Sequence, residues 1–293
     1  MLQTPNPKLQ TSNLVECPRD AMQGWKTFIP TEQKITYLNA LLQVGFHTLD
    51  FGSFVSPKAI PQMADTREVL AGLDLSSTGT KLLAIVANQR GAEEAVAFEQ
   101  IHYLGFPFSL SPTFQQRNTN STIGEAVQRV DAIQELCLQH NKELVLYLSM
   151  GFGNPYGDAY NEAVLLHWAD AMAKKGIRII SLADTVGVAN PEQISFALNT
   201  LIPQYREVQF GVHLHSASHN WRPKVQAAFD AGCMRFDGAL KGIGGCPMAG
   251  NDLVGNMDTE WLLAFFREQG LDTNVNKEAL RQSLQIGNQV FGT

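Results

Sequence analysis

The sequence has few cysteines, no concentration of positive charge and no long hydrophobic run. Its 22 Lys and Arg are outnumbered by 28 Asp and Glu, a formal net charge of -6, and no basic cluster stands out. A nucleic-acid surface is therefore not expected. An anionic small molecule remains compatible, because local Arg and Lys with a metal ion set the sign of the field inside a pocket. The four cysteines, Cys17, Cys137, Cys233 and Cys246, lie far apart and form no CxxC pair. That indicates no disulfide framework and makes a reducing, cytoplasmic setting the default. The opening MLQTPNPKLQTSN has no apolar core and no Arg, unlike a secretory signal or a mitochondrial presequence. No stretch approaches the ~18 apolar residues of a membrane span, and no internal repeat or low-complexity segment is evident.

What is present is an alternation of short β-rich runs and longer helical patterns over 293 residues, 44% of them hydrophobic. Strands are predicted at 13–17, 46–51, 81–86, 101–106, 143–149, 177–182, 209–214 and 235–239. Several are almost continuously apolar, as parallel strands covered on both faces should be. Helical periodicity fills 32–44, 123–140, 159–175, 191–200, 219–231 and 258–268, with shorter runs at 65–72 and 91–97. Thr31 is a candidate N-cap, and Gly45, Gly176 and Gly232 each stand where a helix turns into the next strand. Eight βα units without a composition break predict an α/β fold, a (β/α)8 TIM barrel forming one domain over 1–293, with 1–12 a loose arm. A doubly wound open sheet is the rival. It calls for a Gly-rich phosphate turn after the first strand, where the sequence reads CPRDAMQ.

Barrel active sites lie at the C-terminal ends of the strands, and the chemically suspicious residues follow strands here. Arg19 and Asp20 come directly after strand 1, where adjacent charges are costly unless paired or used; a structural ion pair is the plainer reading. Asp50 interrupts the apolar FHTLDF and is followed by Gly52 and Ser53; a capping Asp is the plainer reading. Strand 7 ends His213-Leu214-His215. Residues i and i+2 share a strand face with Cα atoms about 6.6 Å apart, so both imidazoles can meet one ion. His219 falls outside that spacing and reads as surface or cap. Asp184-Thr185-Val186-Gly187 follows strand 6 as a helix cap or a ligand-orienting turn. After strand 8, 240–257 holds Gly242, Gly244, Gly245, Gly250 and Gly255, the thiol of Cys246 and the amide of Asn256. Long Gly-rich loops in compact domains are functional or mobile. Asp20, His213, His215 and Asn256 together offer two nitrogens and two oxygens, a set suited to Mg²⁺ or Mn²⁺, with Zn²⁺ also served.

At these residues the chain resembles the hydroxymethylglutaryl-CoA lyases, within a superfamily of metal-dependent barrel enzymes carrying an Arg-Asp motif after strand 1. Ser53-Phe54-Val55-Ser56-Pro57-Lys58 with Pro61-Gln62-Met63, Gly244-Gly245-Cys246-Pro247, Asp184-Thr185-Val186-Gly187 and the HxH pair carry the likeness, over about 14–268. The resemblance implies metal ligation by Asp20, His213, His215 and Asn256. It implies carbonyl and enolate stabilisation by Arg19, and proton transfer by Cys246 and Asp50. Gln23, Ser53 and Thr185 would line the pocket with Arg19. The implied reaction is retro-Claisen cleavage of 3-hydroxy-3-methylglutaryl-CoA to acetoacetate and acetyl-CoA, with Asp20 or a relayed water taking the hydroxyl proton. The partner implied is a small-molecule CoA thioester, with a homodimer as an option. The strand-1 motif is shorter by one residue before Pro18 than in these lyases, Ala21 replaces a Gly, Asp50 replaces a Glu, and Ser216 replaces an Asp or Asn. A condensing enzyme of the isopropylmalate synthase type, an aldolase and an inactive CoA-ester-binding barrel are the alternatives. The GGCP cysteine and the absence of a C-terminal extension favour the lyase.

Overall fold

The computed structural model describes residues 13–245 and 254–292. The expected arm at 1–12 and Cys246 lie outside the described residues. Eight parallel strands close into a barrel in sequence order, with β8 hydrogen-bonded back onto β1. The strands are β1 (Asn13–Glu16), β2 (Thr48–Ser53), β3 (Lys81–Ile85), β4 (Ile101–Ser109), β5 (Glu143–Ser149), β6 (Ile179–Ala183), β7 (Gln209–His213) and β8 (Arg235–Gly238). Two differ notably from the sequence reading. β2 starts two residues later and continues through Ser53, with an irregularity between Asp50 and Gly52. β4 runs past Pro107, which pairs with Tyr147 of β5; a proline that lacks a donor N–H hides the strand's continuation.

The helices are α1 (Pro18–Gln23), α2 (Thr31–Leu42), α3 (Thr66–Ala71), α4 (Gln89–Val96), α5 (Pro112–Thr119) and α6 (Ile123–Gln139). They continue with α7 (Glu162–Lys174), α8 (Pro191–Gln204), α9 (Trp221–Asp230), α10 (Thr259–Glu268) and α11 (Lys277–Phe291). Thr31 is the first helical residue rather than the cap, and its hydroxyl donates to Asp65 Oδ2 at 2.8 Å. Three helices have no counterpart in the sequence reading. α1 and α5 each open on a proline, whose fixed φ suits the first helical position. α11 is capped by Asn276, whose Oδ1 accepts from the Glu278 and Ala279 N–H groups at 3.0 and 3.1 Å. It packs on α2, with Phe291 edge-on to Tyr37 at 5.9 Å. Gly45, Gly176 and Gly232 sit at φ +87, +84 and +88°, the left-handed turn expected between helix and strand. No helix among the described residues is long and apolar enough to cross a membrane.

The main core lies between the strands and the helical ring. A separate small cluster of Leu83, Ile85, Tyr103, Val145, Tyr147 and Ile179 fills the barrel interior along β3–β6. Cross-strand partners in a parallel sheet face the same side, and the chains Tyr147–Ser181–Gly211–Arg235 and His213–Asp237–Val15 continue that interior face through β7, β8 and β1. The interior is thus apolar on one side and polar on the other, and the polar side leads up to the mouth.

Candidate active site

At the mouth, α1 leaves β1 immediately, so the Arg19 and Asp20 side chains stand over the barrel opening, buried to 8% and 7% exposure. Arg19 is clamped. Its Nη2 donates to Asp50 Oδ2 at 2.6 Å and its Nε to the same oxygen at 3.0 Å. Its Nη1 donates to Asp20 Oδ1 at 3.0 Å and Gln23 Oε1 at 2.9 Å. Gln23 returns a hydrogen bond to Asp20 Oδ1 at 2.6 Å. Burial pushes Asp20 up, but the charges of Arg19, His213 and His215 and the Asn256 amide bring it below the ordinary carboxylate range, so it is an anion. Burial pushes Asp50 up to about 6 against the Arg19 charge, helped by Asp20 and Asp237.

Asp20, His213 and His215 offer ligand atoms that all lie within 4.8 Å of one another. The imidazole centroids are 5.3 Å apart. His215 Nδ1 lies 2.8 Å from the Val254 carbonyl, which only accepts, so the proton is on Nδ1 and Nε2 is free. His213 Nδ1 lies 3.1 Å from Asp237 Oδ2. Burial lowers His213, and the Asp237 hydrogen bond and charge outweigh that to leave it above its ordinary value. Burial and the neighbouring His213 lower His215. Two imidazoles and an ionised carboxylate converging on one point are a competent donor set for a divalent ion. Asn256 is adjacent, but its Nδ2 is turned inward, donating to Asp20 Oδ2 at 2.7 Å and Ile243 O at 2.9 Å. In that orientation the expected amide-oxygen ligand faces away; a 180° rotation would exchange both hydrogen bonds for Oδ1 against two acceptor oxygens, an arrangement that needs a cation between them.

Arg19, Asp20, His213 and His215 line a cavity of about 130 Å³ together with Gln23, Thr185, Phe114 and Tyr147. That is room for a short acyl head group. Thr185 Oγ1 accepts the Met150 N–H at 2.8 Å and keeps its own proton to donate. Asp50 and Ser53 are not among the lining residues. Asp50 stands against Arg19, and Ser53 Oγ accepts from the N–H of Val55, which does line the cavity. Asp184 does not cap α8, whose cap is Asn190. It accepts from Ala189 N–H at 2.9 Å and from Lys224 Nζ at 2.8 Å. Ser216 is buried, and its hydroxyl donates to Met257 Sδ at 3.4 Å. His219 is exposed, as read. Ala21 lies within α1 without a positive φ, so its replacement of a glycine strains nothing.

Three supporting residues escaped the sequence reading. Asp237 backs His213. Lys224 reaches from α9 to Asp184 and to the His215 carbonyl at 2.9 Å. Glu16 accepts from Leu240 N–H at 2.8 Å and Thr259 Oγ1 at 2.5 Å, gathering both ends of the segment after β8. For Glu16 and Asp237 the signal was a polar residue inside an apolar strand; Lys224, on α9, carried none.

Fold and site together define a barrel protein with a candidate divalent-metal centre beside an arginine clamp at the C-terminal mouth. The family model HMGL-like matches residues 14–286. A hydroxymethylglutaryl-CoA lyase of Bacillus subtilis is 33% identical over 276 residues, covering 94% of this chain and 91% of that protein. The chain belongs to the HMGL-like family. The crystal structure of a B. subtilis HMG-CoA lyase superposes with TM-score 0.90 at 30% identity, over 99% of this chain and 96% of the other. An A. baumannii HMG-CoA lyase in complex with coenzyme A and 3-methylmalate superposes with TM-score 0.89 at 31% identity, over 96% and 92%.

Proposed function

We propose that the protein, as one lyase domain over 1–293, is a carbon–carbon lyase that cleaves 3-hydroxy-3-methylglutaryl-CoA to acetoacetate and acetyl-CoA. The observation that carries the reading is the convergence of Asp20, His213 and His215 beside a buried arginine. Family membership and the A. baumannii complex with coenzyme A and 3-methylmalate support the substrate class. Asp20, His213 and His215, with Asn256 after amide rotation, would hold Mg²⁺ or Mn²⁺; Zn²⁺ suits the same donors. Such an ion supplies Lewis acidity toward the substrate's hydroxyl and carboxylate oxygens.

The chain's own residues do the rest. Asp20, an anion at neutral pH, accepts the tertiary hydroxyl proton directly or through water. Cleavage of the C2–C3 bond sends its electron pair into the thioester as an enolate. Arg19, fixed by Asp50 and Gln23 before substrate arrives, meets that charge without reorganising, an effect of about 3–4 kcal/mol per donor. Asp50, pushed up to about 6 by burial, assists proton transfer through this network. Ser53 acts on the wall through Val55, and Gln23 and Thr185 position the acyl group. Cys246 on the Gly-rich catalytic loop after β8 protonates the departing carbon. The thiols of Cys17, Cys137 and Cys233 are free and buried, which suits a reducing, cytoplasmic setting.

The test is direct. Purified protein with the thioester and Mg²⁺ or Mn²⁺ is expected to release acetoacetate and acetyl-CoA in equal amounts. Folded protein that makes neither product with any divalent ion would contradict the assignment. Cys246→Ala is expected to lower turnover by orders of magnitude while Mn²⁺ binding stays near normal; full activity would remove Cys246 from the reaction. Sedimentation of the same sample tests whether two copies associate as a homodimer.

A further inference from the structure

His213 belongs to two clusters at once. One is the grouping with Asp20 and His215; the other comprises Cys17, His213 and Asp237, whose ligand atoms also lie within 4.8 Å of one another. A neutral imidazole has one lone pair and one N–H, so a single neutral His213 cannot ligate ions on both sides. The direct contact decides between them. Nδ1 lies 3.1 Å from Asp237 Oδ2, on a side chain with no exposed surface. A carboxylate there holds the proton on Nδ1 and leaves Nε2 as the free donor. His215 reaches the same arrangement through a different partner, the Val254 carbonyl. Register enforces the Asp237 contact, because His213 and Asp237 are cross-strand partners on the interior face of β7 and β8.

We propose that Asp237 is the positioning residue of the metal centre: it fixes the tautomer and ring orientation of His213 so that Nε2 meets the ion shared with Asp20 and His215. The inference rests on the divalent-ion reading of the site. It assigns unequal supports to the two imidazoles. His213 is held by a buried carboxylate in the barrel wall, and His215 by a backbone carbonyl of the segment after β8.

The experiment has two parts. In the wild-type protein without added metal, ¹⁵N–¹H correlation spectra of the imidazoles, assigned with His213→Gln, are expected to show His213 carrying its proton on Nδ1. A neutral ring with its proton on Nε2 alone overturns the proposal without any Asp237 variant having to fold. Asp237→Asn is then compared for Mn²⁺ binding by electron paramagnetic resonance. Removing such a partner commonly weakens metal binding about 10–100-fold, and here the loss should come with a His213 tautomer shifted toward Nε2–H. Equal Mn²⁺ affinity in both proteins overturns the proposal and leaves the metal site standing. Weaker binding with an unchanged tautomer also overturns it, since Asp237 would then act as a charge alone. A wild-type protein that binds no Mn²⁺ overturns the metal reading itself, and this inference with it.

Discussion

Arg19 is held by Asp50, Asp20 and Gln23 through five hydrogen bonds of 2.6 to 3.2 Å. A buried guanidinium stays charged because its carboxylate partners repay the loss of water. Removing it alone strands Asp50 in the interior. Arg19→Gln is therefore expected to lower turnover by about 10²–10³-fold and to destabilise the fold by about 3–5 kcal/mol. Combining Arg19→Met with Asp50→Leu removes both charges, and most of the stability should return without activity. Denaturant melts and steady-state kinetics on the two variants separate these effects. Recovery of activity in the double variant would take Arg19 out of the chemistry.

The elements carrying the site are joined by a few buried tethers. Glu16 on β1 receives Leu240 and Thr259, so one carboxyl braces both ends of the 240–258 segment. Burial pushes Glu16 up from 4.5 to about 8, against those two hydrogen bonds. The unfolded chain therefore releases this proton first. Its contribution is fully present below about 4.5, falls as pH rises, and is gone above about 8. Glu16→Gln keeps an acceptor and a donor without titrating. The stability difference between wild type and Glu16→Gln should shift against the wild type across that window, by a few kcal/mol at roughly 1.4 kcal/mol per pKa unit. A pH-independent difference would contradict the buried, protonated Glu16. Gly187 is a second tether. At φ +73° its added Cβ would lie 2.9 Å from the Val254 side chain, beside the carbonyl that holds His215. Gly187→Ala should weaken Mn²⁺ binding, read by titration, with far smaller change in the fold; unchanged affinity would uncouple that segment from the metal site.

These tethers also mark how far the sequence could be read. The barrel was legible because parallel strands buried on both faces stand out as apolar runs between amphipathic helices. Asp20, His213 and His215 were legible because polar residues ending such runs are costly without a purpose. Asp237 was not, since its meaning depends on which residue of β7 lies beside it, and register is not written in either strand alone. Lys224 lies on a helix, and nothing local shows that it reaches Asp184. The Asn256 orientation depends on two acceptors, Asp20 and Ile243, that come from opposite ends of the chain. Helix α11 was missed because the alternation of strands and helices ends before it.

At the scale of the molecule, the barrel interior is divided between an apolar side along β3–β6 and a polar side formed by β7, β8, β1 and β2. The apolar side supplies packing; the polar side holds buried charged groups, among them Asp237 against His213 and Asp50 against Arg19. An ion binding there should stabilise the whole fold, by about 2.7 kcal/mol at 100 times its Kd, and raise Tm as Mn²⁺ is added. The measurement that bears most directly on this is anomalous diffraction from crystals grown with Mn²⁺. One strong manganese peak is expected at bonding distance from an Asp20 carboxylate oxygen, His213 Nε2 and His215 Nε2. A structure at saturating Mn²⁺ with no peak among these three side chains, or with the imidazoles turned to present Nδ1, would contradict the account.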